Sequence, residues 1–299
     1  MLQLGQGFSA RLSHVPTVEE ARAAYAEKIR RLAGLRSPAL LRSLRRVPRE
    51  AFLGPGPWQR MFLAQLGEGY QETPDADPCH LYDNVLVAID AERRLNNGEP
   101  AALLRWLDRL DLAPGERFLH VGCGVGYYSA IAVEAVQPGG AAVGIEIDPE
   151  LAERARRNTA GIAGLEVRSG DGSRLAGETF DAVYVNAGAT DVLPAWLDLL
   201  RSGGRLLLPL TVSVPNMTGG VGRMLLVRRD GAVYTAEFQD MVGIYHCAGA
   251  RSESGEARLR ARLTPTGLEG LRQLRRDSHA EGCECWLHGE GFCLSPVAH

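Results

Sequence analysis

From residue 118 to residue 210 the spacing of apolar residues changes period again and again. Residues 118–121, 141–147, 165–168, 180–186 and 205–210 are short apolar runs of strand length. Residues 127–136, 149–159 and 193–200, between them, carry the wider spacing of helices. Each helix returns the chain to the end where the previous strand began, so successive strands run parallel with helices on both faces. The pattern therefore predicts an α/β, doubly wound sheet. Downstream, RMLLVRRDGAVYTAEF has two apolar runs around Asp230-Gly231, a hairpin signal. An antiparallel hairpin closing a parallel sheet is expected.

Upstream the pattern is helical. Thr17-Val18-Glu19-Glu20 reads as a capping box, opening a helix that runs through Lys28 to about Leu32 and stops near Gly34. Ser37-Pro38 opens a second helix, whose stripe of Leu40, Leu41, Leu44 and Val47 ends at Pro48. Residues 53–58 and 68–78 read as loops, 82–90 as a strand and 100–112 as a helix.

With 299 residues, 45% of them hydrophobic, the chain can bury a sizeable core. Its net charge of -3 offers no surface for nucleic acid or membrane, and neither partner is expected. Lys28 is the only lysine and falls in a helical pattern, which argues against lysine chemistry. No apolar run approaches the roughly 20 residues that span a bilayer. The first residues, MLQLGQGFSARLSHVP, lack the charged-then-apolar order of a leader. Six scattered cysteines do not suggest a disulfide framework, so a reducing cytoplasm is the expected location.

The turn after the first core strand carries the chemistry. FLHVGCGVGYY, residues 118–128, places Gly122, Gly124 and Gly126 at alternate positions. Tyr127 stands where a dinucleotide fingerprint needs its third glycine, and no G-x-x-x-x-G-K-[ST] run exists. Taken alone, the glycines require no more than a tight strand-to-helix turn. They are joined by Glu146, at the end of the next strand in VGIEIDPEL, where an acid can accept both ribose hydroxyls. The third strand leads into Gly170-Asp171-Gly172, whose carboxylate suits an exocyclic adenine amine. Three such features at the carboxyl ends of successive strands lie where open α/β sheets bind ligands. A ligand with adenine and ribose but no phosphate fits a site without lysine or clustered arginine, and S-adenosylmethionine is such a ligand. The expected binding set is Gly122, Cys123, Gly124, Gly126, Tyr127, Glu146, Ile147, Asp171, Gly172 and Asn186.

With these residues in view, the chain resembles the protein-L-isoaspartate O-methyltransferases over roughly residues 20 to 250. RRVPREAFLGP is similar to that family's V-P-R-x-x-F segment, and FLHVGCGVGYYSAIAVEAV to its glycine loop and helix. FDAVYVNAGATDVLPAWLDLLRSGGRLLLPL is similar to its run after the fourth strand. The resemblance implies a Rossmann-like, seven-stranded methyltransferase sheet. It also implies methyl esterification of an isoaspartyl or aspartyl carboxylate in a protein or peptide. The corresponding division is 1–95 for N-terminal helices and the substrate side, 96–250 for the cofactor-binding core, and 251–299 for a small extension. One segment departs from the family. Where the family has a hydroxyl-rich T-I-S-Q-P, this chain has Asn96, Asn97, Gly98, Glu99 and Pro100, with Gly98 at the serine position. Asn96 and Asn97 are the expected catalytic-side residues, their amides replacing the lost hydroxyl, while Gly98 leaves extra room.

Methyl transfer from a sulfonium is an in-line displacement for which the protein supplies position and a dry site. A carboxylate acceptor, with a pKa near ~4, needs no general base. His120 lies within a strand and reads as a buried, satisfied side chain; Tyr82 and Asp83 are placed by position on the substrate side. Two other readings stay open: a modified peptide or small natural product as acceptor, and a non-catalytic adenosyl-binding scaffold. In CECWLHGEGFCLS, residues 283–295, a hairpin with Gly289-Glu290-Gly291 as its turn would set Cys293 opposite Leu287. It would also point His288 away from Cys283 and Cys285, so no metal is expected there.

Overall fold

The computed structural model describes residues 15–215, 217–263, 270–282 and 284–297. Residues 1–14, read above as lacking a leader pattern, and Cys283 lie outside the described residues.

Local chemistry explains the helical entry. Helix α1, Val18–Ala33, begins at Thr17, whose hydroxyl accepts from the Glu20 amide while the Glu20 carboxylate accepts from the Thr17 amide. It ends at Gly34 in the left-handed conformation, which a residue without Cβ adopts freely. Helix α2, Pro38–Arg46, starts on a Ser37 cap and buries Leu40 and Leu44. A small four-stranded sheet follows, built from Gln71–Glu72, Gln59–Met61, Leu86–Asp90 and Leu95–Asn96 in that spatial order. It replaces part of the loop expected at 68–78, because Gln59–Met61 pairs with a segment too short and polar to announce itself.

The main sheet has ten strands among the described residues. Leu165–Ser169, Ala141–Glu146, Arg117–Val121, Phe180–Val185 and Leu200–Ser213 lie side by side and parallel. The long hairpin Gly219–Asp230 and Val233–Tyr245 continues the sheet antiparallel, turning at Gly231 with φ 58°. The parallel strands and the antiparallel hairpin match the expected α/β architecture, but the sheet does not stop at the seven strands the resemblance implies. The extension then adds three more, Gln273–Arg275, Phe292–Ser295 and Leu287–Gly289, onto the free edge. Without the extension Val233–Tyr245 would be an open edge strand, and the extension pairs with it at Thr235–Gln273.

The core lies on both faces of this sheet. Leu104, Leu107, Phe118, Tyr127, Ile131 and Tyr184 fill one side, with α1 and α2 packed over them. Val183, Trp196, Leu206, Leu208, Leu287 and Phe292 fill the other. Arg205, from the G-G-R-L-L-L-P run, is buried and clamps Glu116 through two 2.6 Å contacts, tying the strand that carries it to the start of the glycine-loop strand.

His120 is wholly buried in this core, stacked on Tyr184 at 5.1 Å and bonded at Nδ1 to Ser129 Oγ at 2.9 Å. Its Nε2 has no partner, so the expected satisfied histidine is satisfied on one side only. Burial lowers its pKa from 6.5 to about 3, which keeps it neutral. The unfolded chain takes up a proton near pH 6.5 and the folded chain does not until about 3. Stability is therefore fully present above the upper value and falls as pH drops between the two, by up to about 1.4 kcal/mol per pH unit. Urea unfolding at pH 7 and pH 4.5 should show this loss, and a His120→Gln variant should lose about one proton of the dependence. An unchanged slope in the variant would remove His120 as the source.

Candidate active site

The glycine turn is held from below. The amides of Gly122 and Cys123 both donate to the Ile145 carbonyl, at 2.8 and 3.1 Å. Gly122, Gly124 and Gly126 all have positive φ, at 76°, 57° and 90°. They need this for different reasons. A Cβ on Gly126 would press on Thr159 at 2.9 Å, so this glycine lets the helix Tyr127–Ala135 pack against its neighbour. A Cβ on Gly124 would meet nothing within 4 Å, so this glycine borders open space. That space is where a ligand can approach the backbone.

Glu146 stands beside it and is 7% exposed. One carboxylate oxygen accepts from the Gly124 amide at 2.8 Å and the other from the Asp148 amide at 3.1 Å. Burial raises its pKa, and these backbone hydrogen bonds partly offset the rise. Glu146 thus fixes the glycine turn to the second strand and keeps lone pairs for a ligand hydroxyl. Ile147, next to it, is 49% exposed, an apolar surface suited to a flat base. Asp171 caps a short turn, accepting from the Ser173 amide at 2.9 Å and hydroxyl at 2.6 Å, with Arg174 at 3.3 Å. Gly172 is required by packing, because a Cβ would lie 2.6 Å from Val121. Asn186 accepts from the Tyr184 hydroxyl at 2.9 Å and donates to the Gly122 carbonyl at 3.4 Å.

Two members of the expected set have buried side chains, so only their backbone could face a ligand. Tyr127 is fully buried, edge-on to Phe52 at 5.4 Å and to Tyr128 at 5.0 Å, on the core side of its helix. Cys123 packs under the turn with Ala155 and Val167, and burial pushes its thiol well above the usual range. Both side chains are core in a segment that has a core side and a ligand side. The sequence pattern marks the segment and cannot separate the two.

The divergent loop lies against the same helix. The Tyr128 hydroxyl reaches the Gly98 carbonyl at 3.5 Å. Asn96 is fully engaged: its Nδ2 donates to the Tyr245 hydroxyl at 2.6 Å and its Oδ1 accepts from the Gly98 amide at 2.9 Å. Asn97 is 8% exposed and its Nδ2 has no partner. The two asparagines therefore separate into a structural one and one with a donor to give. The room expected at Gly98 is not there. Its φ is 72°, and a Cβ would meet Leu103 at 2.9 Å, so the space belongs to the helix Pro100–Arg109. Tyr82 and Asp83 are also committed elsewhere. Tyr82 lies between Arg22 and Glu50, hydrogen-bonded to both, and Asp83 pairs with Lys28 at 2.5 Å.

Two residues that pack against these turns carry no local signal in the sequence. Tyr245, at the far end of the hairpin, bonds Asn96 and also donates to the Arg94 carbonyl at 2.6 Å. Gly249, with φ 78°, brings its backbone against the Asp171 turn, where a Cβ would sit 2.3 Å from Ser173 Oγ. Both meet their partners across long sequence separations, and no local pattern signals such contacts.

A parallel sheet with a glycine turn after one strand and acids after the next two defines a nucleoside-binding α/β protein of Rossmann-like class. Comparison with known proteins narrows this. A family model described as Protein-L-isoaspartate(D-aspartate) O-methyltransferase matches residues 70–223. Protein-L-isoaspartate O-methyltransferase 2 of Archaeoglobus fulgidus is 31% identical over 200 residues, 66% of this chain and 81% of its own. The Hyperthermus butylicus protein-L-isoaspartate O-methyltransferase is 34% identical over 64% of this chain and 75% of its own. A solved protein-L-isoaspartate O-methyltransferase superposes with a TM-score of 0.62 at 20% identity, covering 77% of this chain and 66% of that one. A Plasmodium falciparum protein solved with S-adenosyl-L-homocysteine gives 0.57 at 16% identity, covering 76% and 98%. At those identities the two structures speak for the fold. The chain belongs to the protein-L-isoaspartate O-methyltransferase family.

Proposed function

We propose that the protein is an S-adenosylmethionine-dependent O-methyltransferase that esterifies an isoaspartyl or aspartyl carboxylate in a protein or peptide. The observation that carries this reading is the glycine turn bonded to Glu146, with open space over Gly124, inside a segment matched by the family model. The residues present fit the cofactor. Glu146 would take the ribose hydroxyls, Ile147 would pack on the adenine, and Asp171 would accept from its amine. The backbone of Gly122, Cys123, Gly124 and Gly126, with Gly172 and Asn186, would border the rest. When bound, S-adenosylmethionine supplies an electrophilic methyl group on sulfur.

The chain's own work on the acceptor is positional. A carboxylate is already ionised near neutral pH, so no base is required. Asn97 has a buried amide donor with no internal partner, and a carboxylate oxygen is the acceptor that would satisfy it. Asn96 positions this loop by holding Tyr245. Gly98 keeps the turn, and its positive φ and the closeness of Leu103 leave no place for a side chain there. The free thiols of Cys79, Cys123 and Cys247 suit a reducing compartment such as the cytoplasm.

Incubation with methyl-labelled cofactor and a pool of isoaspartyl and aspartyl peptides should yield base-labile label, the mark of an ester. Asn97→Ala should lower turnover at least tenfold while S-adenosylhomocysteine affinity stays within about twofold, the scale of one lost hydrogen bond to a charged group. Base-stable label would replace the carboxylate with a nitrogen or carbon acceptor. Binding without turnover of any peptide would favour a small-molecule acceptor or a scaffold.

A further inference from the structure

The C-terminal extension brings together four side chains that the sequence reading set apart. The strands Leu287–Gly289 and Phe292–Ser295 pair in the register Leu287 with Leu294, His288 with Cys293 and Gly289 with Phe292. The turn is thus Glu290-Gly291, one residue shorter than expected, with Gly291 at φ 72°. A one-residue change of register moves every side chain to the other face. His288 and Cys293 become direct cross-strand partners on one face, while Leu287 and Leu294 turn into the core. The expectation that His288 points away from the cysteines is thereby corrected. Cys285 lies before the strand rather than within it, so strand alternation does not govern it.

We propose that His279, Cys285, His288 and Cys293 form a structural zinc site. Their candidate ligand atoms all lie within 4.8 Å of one another. Cys285 Sγ is 3.5 Å from His279 Nε2 and 3.7 Å from His288 Nδ1. A tetrahedral zinc with bonds of about 2.3 Å to sulfur and about 2.0 Å to nitrogen separates such atoms by about 3.6 Å. The two imidazoles stand nearly perpendicular, at 84°, with centroids 4.9 Å apart, so they converge without stacking. His279 is also held for this role from behind. Its Nδ1 lies 2.9 Å from the Asp277 carbonyl and 3.3 Å from an Asp277 carboxylate oxygen, acceptors that place the proton on Nδ1. Nε2 is then left with its lone pair toward the cluster, the arrangement that outer partners impose on metal-bound histidines.

Both cysteines are buried, Cys285 at 3% exposure and Cys293 at 0%. Two thiolates and one divalent ion sum to no net charge, which suits such burial, and binding would release both thiol protons to solvent. Four protein ligands close the coordination sphere, so the site is structural rather than catalytic. Its place in the fold explains its use. Residues 276–286 have no helix or strand among those described, and they join Gln273–Arg275 to the outermost strand of the sheet. A metal fixing this segment to the last hairpin would hold the added edge in place. The family model matches residues 70–223, so the site lies outside the matched segment.

The test uses the full chain, purified under reducing conditions without chelator after growth with added zinc. Elemental analysis should find about one zinc per chain, falling below about a tenth in Cys285→Ser/Cys293→Ser and several-fold in His288→Gln. Because a cysteine variant can fail to fold, metal-stripped wild-type protein is also titrated with cobalt(II). Intense visible bands of a tetrahedral site with thiolate charge transfer are expected. The proposal is overturned by metal-free wild-type protein that gives only the pale spectrum of octahedral cobalt. It is equally overturned by zinc retained in the double cysteine variant, or by a mass deficit of two hydrogens mapping to a Cys285–Cys293 disulfide. Cys283→Ser should retain the metal, and full loss there would replace the assigned ligand set.

Discussion

Replacing Arg49 by Met is expected to destabilise the protein by about 3–5 kcal/mol, the cost of leaving three carbonyls without a donor at roughly 1–3 kcal/mol each, less the desolvation the guanidinium itself bears. Arg49 is 0% exposed, it makes no salt bridge among the described residues, and its Nε has no partner. Its guanidinium instead donates to three main-chain carbonyls: Leu81 at 2.8 Å, Asp83 at 3.1 Å and Val85 at 2.8 Å. These carbonyls lead into the strand Leu86–Asp90. Met fills similar volume but donates nothing, and each carbonyl would be left without its partner in a low-dielectric interior. Lysine, a point charge without the planar fork, should recover part of the loss. Urea midpoints for the wild type, Arg49→Met and Arg49→Lys, taken with S-adenosylhomocysteine affinity measured on whatever remains folded, give the comparison. A loss under about 1 kcal/mol for Arg49→Met would mean that water replaces the guanidinium at no great cost.

Glu146→Ala is the second large effect and acts on binding. The carboxylate bonds the amides of Gly124 and Asp148, so the change removes the acceptor proposed for the ribose and also frees the glycine turn. Each hydrogen bond to a charged group contributes about 1.5–3 kcal/mol. Affinity for S-adenosylmethionine or S-adenosylhomocysteine should fall by roughly 1–3 kcal/mol, a factor of about five to about 150. Glu146→Gln keeps one acceptor oxygen and should fall between the two. Calorimetry is the measurement. Unchanged affinity in Glu146→Ala, or binding of a nicotinamide dinucleotide in place of either ligand, would move the cofactor site away from this strand end.

Much of this protein could be read before any coordinates. The capping box at Thr17, the Gly34 stop and the Ser37-Pro38 start are signals within a single turn of chain, and each element begins or ends where its signal stands. The parallel strands are legible for a related reason. Burial on both faces demands continuous apolar runs, and the helices between them carry their own period. The glycine turn, Glu146 and Asp171 were legible together because a doubly wound sheet brings the ends of successive strands to one place, so order along the chain becomes proximity in space.

What the sequence could not supply were decisions between distant partners. Asn96 and Asn97 are chemically identical neighbours, and Tyr245, arriving from the far end of a hairpin, engages the amide of one while the other's stays without a partner. Gly98 offers room on paper, but Leu103 fills it. Arg49 stands in a recognisable motif, yet its role depends on three carbonyls more than thirty residues away. The last hairpin shows the reason most plainly. Its cysteines and histidines were visible from the start, but a turn shorter by one residue reverses which face each side chain takes. Local pattern determines what a segment can form, because its energetics are settled within a few residues. Register and side-chain partnership are settled by packing against the rest of the sheet, and so belong to the tertiary structure alone.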